Sequence, residues 1–166
     1  MIAKKVCLIG EFGVGKTSLV ARYVNHTFSD KYITTVGVSI KTKVVSLSEG
    51  QQMKLVVWDI AGEDKFSSTA ERYLRGANGL FIVADGTREA TINTADDLLK
   101  QAQTIVGNIP AVRLVNKSDL PLAWNNGHDN PEDNRAQEID GRILTSAKTG
   151  FNVQYAFESL ANKVIA

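Results

Sequence analysis

The feature that most narrows the folds open to this chain is Gly10-Glu11-Phe12-Gly13-Val14-Gly15-Lys16-Thr17. An apolar run, Val6-Cys7-Leu8-Ile9, precedes it, and an amphipathic run from Ser18 to Val24 follows it. The order is strand, glycine-rich turn, helix. Glycines let successive backbone N–H groups point into such a turn as an anion-binding nest, and the helix N-terminus adds the positive end of its dipole. Lys16 can neutralise outer phosphates, and the Thr17 hydroxyl can ligate the Mg²⁺ that travels with a triphosphate. In this context the pattern reads as a phosphate-binding loop rather than a plain glycine turn.

The rest of the chain alternates between strands and helices. Ala3 to Ile9 is a short apolar strand suited to the middle of a parallel sheet. Val38 to Leu47 and Gln52 to Asp59 form a hairpin around a turn at Ser48-Glu49-Gly50-Gln51. Leu80 to Ala84, Ala111 to Val115 and Arg142 to Thr145 are further strands. Helices are predicted from about Glu89 to Val106 and from Asn152 to Ile165. Residues His26 to Gly37 have neither period and read as an exposed loop. Ala61 to Gly76 is polar at first and weakly helical later. Pro121 to Asp140 is irregular and polar, with Asn130-Pro131-Glu132-Asp133 starting a brief helix. The expected fold is α/β, a P-loop NTPase in three layers. Its mostly parallel six-stranded sheet, with one antiparallel strand, is covered by helices on both faces. Ligand belongs beyond the carboxyl ends of the strands.

A length of 166 residues bounds this to one domain over 1–166 with a single core. The net charge of +1 leaves no basic footprint for nucleic acid and no polybasic patch for anionic lipid. The single cysteine, Cys7, allows no intramolecular disulfide and reads as a small buried side chain in a reducing, cytoplasmic setting. No stretch approaches membrane-spanning length, and no cysteine stands near the last residue given. The expectation is therefore no membrane contact by this chain itself.

The remaining motifs all follow predicted strands. Trp58-Asp59-Ile60-Ala61-Gly62-Glu63 offers an acid for Mg²⁺ and a glycine N–H for a γ-phosphate. Asn116-Lys117-Ser118-Asp119 and Ser146-Ala147-Lys148 follow the last two strands. A carboxylate such as Asp119 can accept hydrogen bonds from N1–H and the 2-amino group of guanine. Adenine lacks that pair of donors and would leave the charge unsatisfied, which is a physical basis for selectivity.

With these four motifs in order, the chain resembles the Ras superfamily of small GTPases, and its Rab-like branch most of all. Tyr32-Ile33-Thr34-Thr35-Val36-Gly37-Val38, Trp58-Asp59, Tyr73-Leu74-Arg75-Gly76-Ala77 and Thr145-Ser146-Ala147-Lys148-Thr149-Gly150 carry that likeness. The resemblance implies a switch that binds GTP and GDP with Mg²⁺ and hydrolyses GTP to GDP and phosphate. Gly13, Val14, Gly15, Lys16, Thr17 and Ser18 would wrap the phosphates. Thr17 and Thr35 would ligate Mg²⁺, and Asp59 would support it through water. Phe28 would lie against guanine, Asn116 and Asp119 would read its edge, and Lys117 and Lys148 would flank it. Ser146 and the Ala147 backbone would complete the base pocket, with Tyr32 also on the nucleotide. Lys16, Thr35, Gly62 and Glu63 would be the catalytic set. The segments around Thr35 and from Asp59 to Tyr73 look like two switches, ordered while a γ-phosphate is present. Ile40, Trp58 and Tyr73 match a patch offered to protein effectors, or are ordinary packing residues. Effector, exchange and activating proteins are the implied partners.

Two departures touch hydrolysis. Glu63 stands where relatives usually carry a glutamine that orients water. It can still take a proton from water, yet its charge would face a triphosphate, and the two effects oppose each other. Phe12 stands where relatives favour Gly, Ser or Ala. Its ring either crowds the γ-phosphate and an incoming arginine, worth about 10³- to 10⁵-fold in this class, or points harmlessly to solvent. Slow hydrolysis is the expectation, with a non-cycling binding module as the alternative. A kinase using ATP is the rival that Asn116-Lys117-Ser118-Asp119 opposes. Titration calorimetry provides the test of the base reading: Asp119→Ala should abolish the preference for guanine over adenine nucleotides.

Overall fold

Strand β1 (Ile2–Gly10) divides the core in two, because its side chains alternate across the sheet. Val6 and Leu8 enter one apolar cluster, and Cys7 and Ile9 enter the other. The structure, a computed structural model, describes residues 1–31, 34–63, 65–123 and 138–166. After β1 come α1 (Lys16–Asn25), β2 (Val38–Ser46), β3 (Gln52–Ile60), α2 (Ser68–Leu74) and β4 (Gly79–Asp85). Then follow α3 (Ala90–Val106), β5 (Ala111–Asn116), β6 (Glu138–Ile139), β7 (Arg142–Leu144) and α4 (Val153–Ile165).

The strands form one sheet in the order β2-β3-β1-β4-β5-β7-β6. β1, β3, β4, β5 and β7 run parallel, and β2 lies antiparallel to β3 through the hairpin. The six expected strands are all present. A two-residue strand, β6, extends the sheet antiparallel to β7; two residues are too few to carry a period. The expected brief helix at Asn130-Pro131-Glu132-Asp133 lies outside the described residues.

Among the described residues, two helices cover each face of the sheet. Leu19, Val20 and Tyr23 of α1 and Val153, Ala156, Phe157 and Leu160 of α4 join Val6, Leu8, Leu55, Val57, Phe81 and Val83. Ala70 and Leu74 of α2, with Ile92, Ala95, Leu98 and Ala102 of α3, cover the face of Cys7, Ile9, Leu80 and Ile82. Among the described residues no helix is long and apolar enough to cross a membrane.

Five parallel strands end on the same side of the sheet, at Gly10, Ile60, Asp85, Asn116 and Leu144. That common edge is where every motif of the sequence emerges. Its rigidity comes from the cores beneath. Phe157 stacks on Tyr23 at 4.0 Å between ring centroids and tilts against Phe81 at 4.7 Å, all three being buried. Removing a buried ring leaves a cavity that neighbours only partly refill. Phe157→Ala should lower unfolding free energy by about 3–5 kcal/mol, read by urea denaturation at equal, saturating nucleotide.

Candidate functional site

The glycine loop joins β1 to α1 with Gly13 at φ 79° and Gly15 at φ 102°. Both values are left-handed, where a side chain costs free energy. Gly15 has a second reason to lack one: a Cβ there would lie 2.3 Å from Nδ2 of Asn116. That amide donates to the Val14 carbonyl at 3.1 Å, and Asn116 Oδ1 accepts from Thr145 Oγ1 and from the Ala147 N–H, each at 3.2 Å. Asn116 is therefore a buried tie between the phosphate loop and the loop after β7. The sequence reading gave it only an edge of the base.

Lys16 is buried, and its Nζ donates to the Gly10 and Glu11 carbonyls at 3.1 and 3.4 Å. Burial pushes its pKa down to about 8, with the carboxylates of Asp59 and Glu63 opposing that fall. Beside it, Thr17 Oγ1 donates to Asp59 Oδ2 at 2.6 Å and Thr35 Oγ1 donates to the same oxygen at 3.2 Å. The two hydroxyls also meet each other. Burial lifts the Asp59 carboxyl above its ordinary value, against the Thr17 hydrogen bond and the Lys16 charge. Asp59 Oδ1 is buried and lacks a hydrogen-bond partner among the described residues. Hydroxyl and carboxylate oxygens, one of them an orphan, suit a hard divalent cation such as Mg²⁺.

A cleft of about 300 Å³ links these groups to the base loops. Its lining includes Gly13, Gly15, Lys16, Thr17, Ser18, Phe28, Thr35, Asp59 and Gly62. Asn116, Lys117, Asp119, Ala147 and Lys148 line it too, whereas Val14 and Ser146 of the predicted set do not. Phe28 is half-buried against the core beneath. Ser146 Oγ donates to Asp119 Oδ1 at 2.8 Å and accepts from the Thr149 N–H; the carboxylate keeps capacity for further donors. Val14 is buried beneath the loop and contributes its carbonyl. Tyr32 lies outside the described residues. Phe12 is 53% exposed at the mouth of the cleft.

Glu63 sits beside the start of α2, near enough for its charge to act on Lys16. Its carboxylate accepts from the Ser67 N–H at 2.9 Å and lies 3.3 Å from the Ser67 hydroxyl, at the start of α2, and Glu63 does not line the cleft. Its own N–H donates to the Gly10 carbonyl at 3.2 Å. Gly62 packs so closely that a Cβ would reach 2.5 Å from the Phe12 Cα. Ile40 pairs with Trp58 in the β2–β3 register, and the Trp58 and Tyr73 rings stand 6.3 Å apart, so these three do form one patch. Lys5 Nζ lies 3.7 Å from the Trp58 ring centroid.

Sequence reasoning missed three contributors. Arg22 of α1 donates to the Ala147 carbonyl at 2.8 Å and to the Lys148 carbonyl, bracing the base loop. Asp85 ends β4 almost wholly buried and pairs with Lys117 at 2.9 Å. Burial alone would raise the Asp85 carboxyl; donors on Thr87, Lys117 and Arg88 hold it below its ordinary value instead. Arg88 also reaches the phosphate loop. The available signal was an acid closing a wholly apolar strand at the ligand edge, followed by Gly86-Thr87-Arg88.

The family model described as Ras family matches residues 5–166. The chain is 35% identical over 163 residues to Ras-related protein Rab-13 of Bos taurus, covering 97% of this chain and 79% of that protein. It is 34% identical over 162 residues to Ras-related protein RABE1d of Arabidopsis thaliana, covering 96% and 74%. To Ras-related protein Rab-18-B of Danio rerio it is 34% identical over 170 residues, covering 97% and 78%. Gly15→Ala tests the geometry at the loop: it should weaken GDP binding by at least about tenfold, since the left-handed backbone alone costs ~1–2 kcal/mol. Equilibrium titration with fluorescent GDP reads the loss.

Proposed function

This chain belongs to the Ras family, and we propose that within that family of small GTPases it is a Rab-like switch that binds GTP and GDP with Mg²⁺ and hydrolyses GTP slowly. One observation carries the reading: a single cleft is lined by a buried lysine, a hydroxyl–carboxylate cluster, Lys117, Asp119, Ala147 and Lys148. Lys16 would exchange its two carbonyl partners for phosphate oxygens, which favours its charged form. The loop amides would also hold the phosphates. Asp119, preset by Ser146, would accept the guanine donors, and the Ala147 N–H is held in place by Asn116.

Thr17, Thr35 and Asp59 would hold Mg²⁺. When bound, the ion neutralises charge on the phosphate oxygens. These residues also connect the two switch segments, because Thr35 and Asp59 meet while the Ala61 N–H donates to the Gly37 carbonyl at 2.9 Å. Loss of a γ-phosphate would relax that junction. The Ile40, Trp58 and Tyr73 patch adjoins both segments, which supports docking of a protein effector that senses the nucleotide state. A reducing, cytoplasmic setting suits the buried thiol of Cys7.

The second reading is a binding module that does not cycle. The Glu63 carboxylate favours it, since its hydrogen bonds go to the start of α2. Single-turnover hydrolysis distinguishes the two. The parent should be slow, and Glu63→Gln and Phe12→Gly should each speed it by about tenfold, or ~1.4 kcal/mol off the barrier. Equal rates in all three proteins would remove Glu63 and Phe12 as the cause of slow turnover.

A further inference from the structure

Arg88 makes a contact that neither the motifs nor the cleft accounts for. Its Nη2 donates to the Phe12 carbonyl at 3.0 Å, across 76 residues of sequence. Its Nε donates to Asp85 Oδ2 at 3.1 Å. Asp85 is 1% exposed, and its Oδ1 accepts from the Thr87 N–H and hydroxyl at 2.8 and 2.6 Å. The guanidinium is thus a fork with one prong on a fixed, buried anchor and the other on the phosphate loop.

The consequence follows from peptide geometry. In a trans peptide the C=O and N–H bonds point in opposite directions, and the described residues contain no cis peptide. With the Phe12 carbonyl drawn to Arg88, the Gly13 N–H faces the other way. Phe12 and Gly13 line the cleft and Arg88 does not, so that other way is inward. Gly13 has φ 79° and no side chain, so no side chain at position 13 fixes the orientation of this peptide.

We infer that Arg88 is a positioning residue for phosphate: it holds the Phe12–Gly13 peptide so that the Gly13 amide is aimed at a phosphate oxygen of a bound nucleoside di- or triphosphate. The inference rests on the nucleotide reading above. Lysine cannot replace the fork, because an ammonium is a point charge without the planar reach to serve both partners.

The experiment measures release of fluorescent GDP from the parent, Arg88→Lys and Arg88→Ala, together with competition between GDP and inosine diphosphate. Inosine lacks the 2-amino group, so that ratio reports the Asp119 side of the site alone. Both variants should release GDP about tenfold faster, the effect of one charged hydrogen bond, with the GDP-to-inosine-diphosphate ratio unchanged. Arg88→Lys keeps a cation beside Asp85 and provides the measurement should Arg88→Ala fold poorly. Release matching the parent in Arg88→Lys, or a collapse of the ratio alongside faster release, would overturn the inference. A parent that holds no guanine nucleotide at all would overturn the functional reading, and this inference with it.

Discussion

The carboxamide of Asn116 is the interaction on which the site depends. It lies at the end of a buried central strand, hydrogen-bonded on one side to the phosphate loop and on the other to the loop that follows β7. Nothing larger than glycine fits at position 15 beneath it. An unpaired amide or carbonyl in that environment would cost about 1–3 kcal/mol, so each partner constrains the others. The phosphate end and the base end of the cleft are consequently one rigid object, although the chain between Val14 and Asn116 crosses most of the sheet. Arg22 and Asp85 reinforce the same bridge from opposite ends, one gripping the base-loop carbonyls and the other gripping Lys117.

Around this rigid frame the two segments flanking the β2–β3 hairpin behave differently. They are joined by short polar contacts, Thr35 to Asp59 and Gly37 to Ala61, and residues 34–37 and 61–63 are half-buried or exposed. Contacts of that kind, with little apolar burial behind them, belong to the low-stability end of a protein. Asp59 is the pivot. It is buried, shares one oxygen between two hydroxyls, and leaves the other without a partner among the described residues. A carboxylate in that state is costly without a cation, and under the proposed function that cost would couple ligand to loop order.

How much of this was legible in the sequence depended on distance along the chain. The glycine loop, Asp59, Asn116 to Asp119 and Ser146 to Lys148 are local motifs, and each could be located because an apolar strand ends just before it. The six main strands were legible for the same reason, as continuous or alternating apolar runs. Arg22 and Arg88 were not, because their partners lie 125 and 76 residues away and no local pattern marks such a pairing. β6 has too few residues for a period. Asn116 was recognised for its place in a motif, while its structural tie became visible only when Val14 and Ala147 were brought against it.

Glu63 shows why a motif position does not fix what a side chain does. α2 spans seven residues, too short to be stable alone, so its first turn depends on partners for its orphan N–H groups. Ser67 supplies one by accepting from the Ala70 N–H, and the Glu63 carboxylate accepts the N–H of Ser67 itself. A negative charge at a helix N-terminus is also favoured by the dipole. Glutamine could accept that hydrogen bond with its one carbonyl oxygen but would bring no charge, so glutamate is the better cap and is held there more firmly. The hydrogen bonds that strengthen the start of α2 still leave the Glu63 carboxylate near enough to oppose the fall of the Lys16 pKa. One carboxylate therefore serves both the first turn of α2 and the electrostatics around Lys16.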